Sequence, residues 1–252
     1  MKVSKITSVL EQLFPISLQM DFDNCGLQVG SFNSEVSKVM VGLNCDIHTV
    51  NSAIQQNCQL LITHHPLFFN KPSRINVDDN FGEIILKAIK NDLTIYSLHT
   101  CLDIGQDGNS MNDWLIRLFD VSNVSSYDQL NLGKKAVLNE SKTVFEFIDI
   151  LKDKFNINHL KYAGREDKII KKIAIVGGSG SDDIYKLKGK VDALISGDSK
   201  YHLGQFALEN DMILFDVGHH IEVIFEKEMR KIIEQFNIEV IEANSKDYFK
   251  IK

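Results

Sequence analysis

QLLITHHP, residues 59–66, is a short apolar run that ends on two histidines and a proline. A run of this length, apolar on consecutive rather than alternate positions, predicts a strand covered on both faces, as in a parallel sheet. Pro66 disfavours helical backbone at the residue before it, so His64 and His65 leave the strand in extended form and project to opposite sides.

Outward from this stretch, similar runs recur at Lys38–Leu43, Leu93–Leu98, Lys172–Val176, Ala193–Ser196 and Met212–Val217. Helical periodicity separates most of them, at 4–14, 47–56, 81–91, 109–119, 143–155, 201–209 and 220–236. Strands alternating with helices define an α/β protein, with mainly parallel or mixed sheets flanked by helices. The pattern weakens through the polar stretch SNVSSYDQLNLGKK near 121–142, so two α/β lobes are expected: 1–105 with 220–252, and 106–219.

The chain has 252 residues, 44% hydrophobic and 25% charged, with only three prolines. That is enough to bury a substantial core. A net charge of −6 lacks the basic excess that duplex nucleic acid requires, whereas a small-molecule substrate such as a free nucleotide stays open. Cys25, Cys45, Cys58 and Cys101 are widely spaced, which suits reduced thiols in a cytoplasmic protein. The N-terminus reads as an amphipathic helix rather than a signal peptide, and no apolar run reaches the length of a membrane span.

Three polar clusters follow directly on apolar runs: THHP, HTCLD and GHHIE. Strand carboxyl ends of an open α/β sheet face one crevice, so residues distant in sequence can meet there. His64 and His65 are candidate metal ligands, although an isolated HH pair more often holds a hydrogen-bonded strand-end histidine. Asp103 follows a buried run in a loop, where a carboxylate needs a cation, a cap or solvent. His219 and Glu222 fall at i and i+3 on the opening turn of the last long helix, which suits a bridging carboxylate beside a histidine. Compensation of the helix dipole is the plain alternative for Glu222. His99 reads equally as an outer group supporting the ligands, a base, or a core histidine. GGSGSD, residues 177–182, is either a phosphate-binding turn or an ordinary tight turn.

The strings DNCGLQVG (23–30), THHPLFF (63–69), SLHTCLD (97–103), SGDSKYH (196–202) and DVGHHIEV (216–223) occur in this order over nearly the whole chain. Together they resemble the GTP cyclohydrolase type 2 homologues, or NGG-interacting-factor-like family, in its short form. The resemblance implies two α/β lobes, a dinuclear metal site in the crevice between them, and a homohexameric toroid. It places the ligands on His64, His65, Asp103, His219 and Glu222, and His202 near the cavity as a candidate substrate contact; His99 and Glu222 are the candidate catalytic residues. Many relatives carry Trp where this chain has Phe22. Imidazole and carboxylate ligands suit zinc, iron, manganese or nickel. The expected activity is that of a dinuclear metal-dependent hydrolase, with opening of a purine nucleotide ring by activated water as the implied reaction. The alternatives are a nucleotide phosphoesterase and a non-catalytic metal-binding, metal-delivery or regulatory toroid.

Overall fold

The computed structural model describes residues 1–70, 72–106 and 108–250. Its helices are α1 (Val3–Leu13), α2 (Ile47–Gln55), α3 (Asn80–Lys90), α4 (Thr100–Ile104), α5 (Met111–Ile116), α6 (Val144–Phe155), α7 (Ile184–Leu187), α8 (Tyr201–Glu209) and α9 (Ile224–Glu234). Strands β1 (Gly26–Val29), β2 (Lys38–Gly42), β3 (Leu60–Thr63) and β4 (Thr94–Ser97) precede β5 (Val121–Ser126) and β6 (Lys134–Thr143). Then come β7 (Lys161–Ala163), β8 (Ile169–Ile175), β9 (Ala193–Ser196), β10 (Ile213–Asp216) and β11 (Glu239–Glu242). The chain divides into two compact units, Met1–Asn109 with Val223–Lys252, and Ser110–Glu222.

The first unit holds a five-stranded sheet in the order β1-β4-β3-β2-β11. Its last four strands are parallel, and β1 runs antiparallel at one edge. Every residue of β3 is buried, because helices cover the sheet. Met40, Leu61 and Ile95 pack with Val50 and Ala53 of α2 and Ile84, Ile85 and Ala88 of α3. Burying each large aliphatic side chain contributes roughly 1.5–3 kcal/mol. Asp46 and Asp79 cap α2 and α3 by accepting the amides of Thr49 and Gly82.

The second unit holds a six-stranded mixed sheet in the order β5-β6-β8-β9-β10-β7. Strands β8, β9 and β10 are parallel, and the other three are antiparallel to their neighbours. Thr143 and Glu146 form a reciprocal capping box at the start of α6. Ala174, Leu194 and Leu214 pack with Leu203 and Ala207 of α8.

Several expectations need correction. The polar stretch near 121–142 forms β5 and much of β6; Ser122 to Ser125 lie exposed on an edge strand, where backbone pairing needs no apolar pattern. Asp103 is not in a loop but in the short helix α4. The helix expected over 109–119 is only α5. The long helix expected from 220 begins instead as a 3-10 turn, His219–Val223, before α9. Among the described residues, no helix is long and apolar enough to cross a membrane.

Glu226 of α9 is buried, and Oε1 accepts the amides of Leu43 and Ser245, each at 3.1 Å. The carboxylate thus ties α9 to the carboxyl ends of β2 and β11. Removing it leaves the part-buried Ser245 amide without this acceptor and the Leu43 amide with only Ser245 Oγ at 3.2 Å, so Glu226→Ala is expected to lower unfolding stability by about 1–3 kcal/mol. Glu226→Gln, which keeps one acceptor oxygen, should lose clearly less and leave metal content unchanged. Urea unfolding checks both; a loss for the alanine variant under about 0.5 kcal/mol contradicts the role.

Candidate metal centre

In the first unit, His64 and His65 continue the line of β3, their amides donating to Gly42 O and Leu43 O at 3.3 and 3.0 Å. The two rings lie 4.9 Å apart, and His99, just past β4, stands 5.1 and 5.5 Å from them. His64 is fully buried. A ligating atom from each of His64, His65 and His99 can be chosen so that all lie within 4.8 Å of one another, close enough to hold an ion. Asp103, one turn into α4, places Oδ1 3.6 Å from His64 Nε2.

Each ring is fixed by its other nitrogen. His64 Nδ1 lies 2.8 Å from Leu98 O, His65 Nδ1 2.7 Å from Asn44 Oδ1, and His99 Nδ1 2.9 Å from Asp23 Oδ1. An oxygen acceptor at Nδ1 keeps the proton there and leaves the Nε2 lone pair for a cation, which is how metal-binding histidines are usually supported. The Asp23 side chain is fully buried, and its Oδ2 accepts both the amide and the hydroxyl of Thr100. Burial pushes its pKa up, but hydrogen bonds from His99 and Thr100 outweigh burial and hold the carboxyl well below the usual range.

In the second unit, Gly218, at φ +84°, turns the chain out of β10 into the 3-10 turn. There His219 Nδ1 lies 2.7 Å from Asp198 Oδ2 and Nε2 3.0 Å from Glu222 Oε2. Asp198 follows β9, the parallel neighbour of β10. Asp216 fastens these turns together: it accepts the amides of Ser199 and Gly218 and pairs with Lys161 at 2.7 Å. Glu222 is buried against Gly177 and Gly178. A Cβ on Gly178, which also has φ +58°, would stand 2.6 Å from Glu222 Oε1. The opening glycines of GGSGSD therefore make room for a carboxylate, and the rest forms a 3-10 turn leading into α7.

The sequence-derived set falls into two groups. His64, His65, His99 and Asp103 come together in the first unit, and His219 and Glu222 in the second. His202 is exposed in the first turn of α8. A cavity of about 490 Å³ in the second unit is lined by Tyr162, Ser199, Lys200, Tyr201 and Asp216, among others, but not by His202. Asp23, Asn44, Asp198 and Asp216 were missed as functional residues. Their signal was placement: Asn44 and Asp198 stand just beyond β2 and β9 as His65 and His219 stand beyond β3 and β10. The donor set, imidazole Nε2 atoms with carboxylates beside them, fits divalent metal ions.

The hydrogen bond with Glu222 raises the His219 pKa to about 9 against the opposing effect of burial, with Asp198 adding to the rise. A pKa raised from 6.5 in this way contributes stability that is complete below pH 6.5 and lost as pH rises through 9. In metal-free protein, NMR titration should find the His219 midpoint near 9, and Glu222→Gln should lower it by about one unit or more. An unchanged midpoint in the variant contradicts the pairing.

The family model Duf34/NIF3 (NGG1p interacting factor 3) matches residues 1–247. A Clostridium acetobutylicum protein named GTP cyclohydrolase 1 type 2 homolog is 34% identical over 268 aligned residues, covering 100% of this chain and 99% of its own. One of the same name from Clostridium perfringens is 36% identical, covering 87% and 86%. The crystal structure of a Staphylococcus aureus hypothetical protein superposes with a TM-score of 0.92 at 26% identity, covering 100% of this chain and 99% of that one.

Proposed function

The chain belongs to the Duf34/NIF3 (NGG1p interacting factor 3) family, and we propose that it is a metal-dependent hydrolase that takes two divalent ions. His64, His65 and Asp103 of the first unit and His219 and Glu222 of the second would hold the ions. The observation that supports this reading is the support given to each histidine: His64, His65 and His219 have Nδ1 tied to an oxygen, the usual arrangement for ligation through Nε2, and Glu222 stands beside Nε2 of His219.

Divalent ions held by these residues would supply a lowered water pKa and a clamp for developing negative charge. The chain's own chemistry centres on His99. Asp23 keeps Nδ1 protonated, so Nε2 accepts a proton from the attacking water, and the ionised carboxylate stabilises the imidazolium that results. Glu222 would supply negative charge to the ions, and the buried surroundings of His64 and Glu222 would strengthen that attraction relative to water. The substrate in this reading is a purine nucleotide whose imidazole ring is opened, in keeping with the name carried by the Clostridium relatives. The assembly in this reading is the homohexameric toroid.

Elemental analysis of purified protein should find about two ions per chain, since five ligands exceed the need of one four-coordinate ion. Glu222→Gln should lose one of them. His99→Asn should keep both while turnover falls by about 10²–10⁴-fold, read as formate released from GTP and as hydrolysis across a nucleotide panel. At most one ion at saturation removes the dinuclear reading. Two ions with no hydrolysis of any nucleotide leave a metal-holding protein in its place.

A further inference from the structure

Apolar side chains that are exposed singly are ordinary, but contiguous ones mark a contact surface. Phe22 is 60% exposed and Phe69 49%, and the two are contiguous: their ring centroids lie 6.1 Å apart with the planes inclined at 58°. The pair borders the candidate centre within the first unit. Phe69 stands 6.0 Å from the His99 ring, and Phe22 directly precedes Asp23, which holds His99 Nδ1.

Hydrogen bonds fix the two loops that carry these rings. In THHPLFF, Phe68 packs against Phe81 at 5.4 Å and against the core beside α3, while Phe69 lies open to solvent. The Phe22 loop is tied to this segment through Asn24 and Gln28. Asn24 Nδ2 donates to Phe68 O at 3.0 Å, Gln28 Oε1 accepts the Phe68 amide at 3.1 Å, and Gln28 Nε2 donates to Asn24 O at 2.8 Å. Two loops distant in sequence are thus held together with one exposed ring on each. Such a surface is preorganised, so a ligand that seats on it does not have to order it first.

We propose that Phe22 and Phe69 form the platform on which the heteroaromatic ring of the substrate stacks, beside His99. The identity of that substrate rests on the functional reading above. Two phenyl faces inclined to each other offer a planar ring one wall to lie against and a second to close the corner, in the offset and tilted geometries that aromatic rings prefer. The third wall is His99, whose imidazole meets Phe69 edge to face at 73°. A ring seated on the phenylalanines is therefore brought next to the imidazole that takes up the proton. Phenyl faces carry no hydrogen-bonding groups, so they select the base over the sugar and the phosphates and accept any base.

The test measures binding separately from turnover. Full-length protein as purified is titrated calorimetrically with guanosine monophosphate, and with ribose phosphate as the same ligand lacking its base. Saturation-transfer difference NMR then reads which part of the nucleotide touches the protein. The base proton should receive more saturation than the ribose protons, and ribose phosphate should bind far more weakly. Phe22→Ala and Phe69→Ala should each weaken guanosine monophosphate binding by roughly 5- to 100-fold, with metal content and melting temperature unchanged. Phe22→Trp, which keeps an aromatic face, should retain wild-type affinity.

Absence of binding to the wild type, alanine variants that bind as the wild type does, or ribose phosphate binding as tightly as the nucleotide overturns the proposal. So does light scattering that finds the double alanine variant dissociated with its affinity intact, since the rings would then belong to a contact between copies of the chain. Binding that depends on both rings, without formate from any nucleotide, removes the hydrolase reading and keeps the platform. Turnover with a KM unmoved by either substitution does the reverse.

Discussion

The hydrogen bond from Nδ1 of each histidine to an oxygen is the constraint on which the candidate centre depends. A free imidazole can present either nitrogen, in either tautomer, over a wide arc of ring rotation. With Leu98 O, Asn44 Oδ1, Asp23 Oδ1 and Asp198 Oδ2 as partners, ring rotation is set and Nε2 is turned to the other side, in His219 toward Glu222.

The sheets supply those oxygens by adjacency. His64 follows β3 and is held by the carbonyl that follows β4. His65, on the other side of the same strand end, is held by the residue two past β2. His219, three residues after β10, is held by Asp198, two past β9. In each case the supporting residue stands at the carboxyl end of the neighbouring parallel strand. Parallel pairing brings such ends side by side at the sheet spacing, so one architectural rule places ligand and support in both units. Glycines complete the second unit's part, because a side chain at Gly178 would collide with Glu222.

Much of this was legible in sequence because central parallel strands carry mostly apolar residues on consecutive positions. β2, β3, β4, β8, β9 and β10 announced themselves in that way, and the polar clusters at their ends marked the ligands. The short or edge strands β1, β5 and β7 carry little such signal, since one side or one edge meets solvent and their pairing is backbone work; the polar β5 was read as a linker for that reason. The supporting residues were illegible for a different reason. A single Asp or Asn beside a strand looks like surface, and only the fold shows Asp23 buried beneath His99. Nor does the sequence mark Glu226, one turn beyond Glu222, as a buried acceptor for two amides.

The most direct test of this account asks which nitrogen meets the metal. Protein labelled with nitrogen-15 at histidine and loaded with zinc should show, in long-range proton–nitrogen correlation spectra, protonated Nδ1 and zinc-shifted Nε2 for His64, His65 and His219. Ligation through Nδ1 at any of the three, or spectra unchanged by saturating zinc, would contradict it.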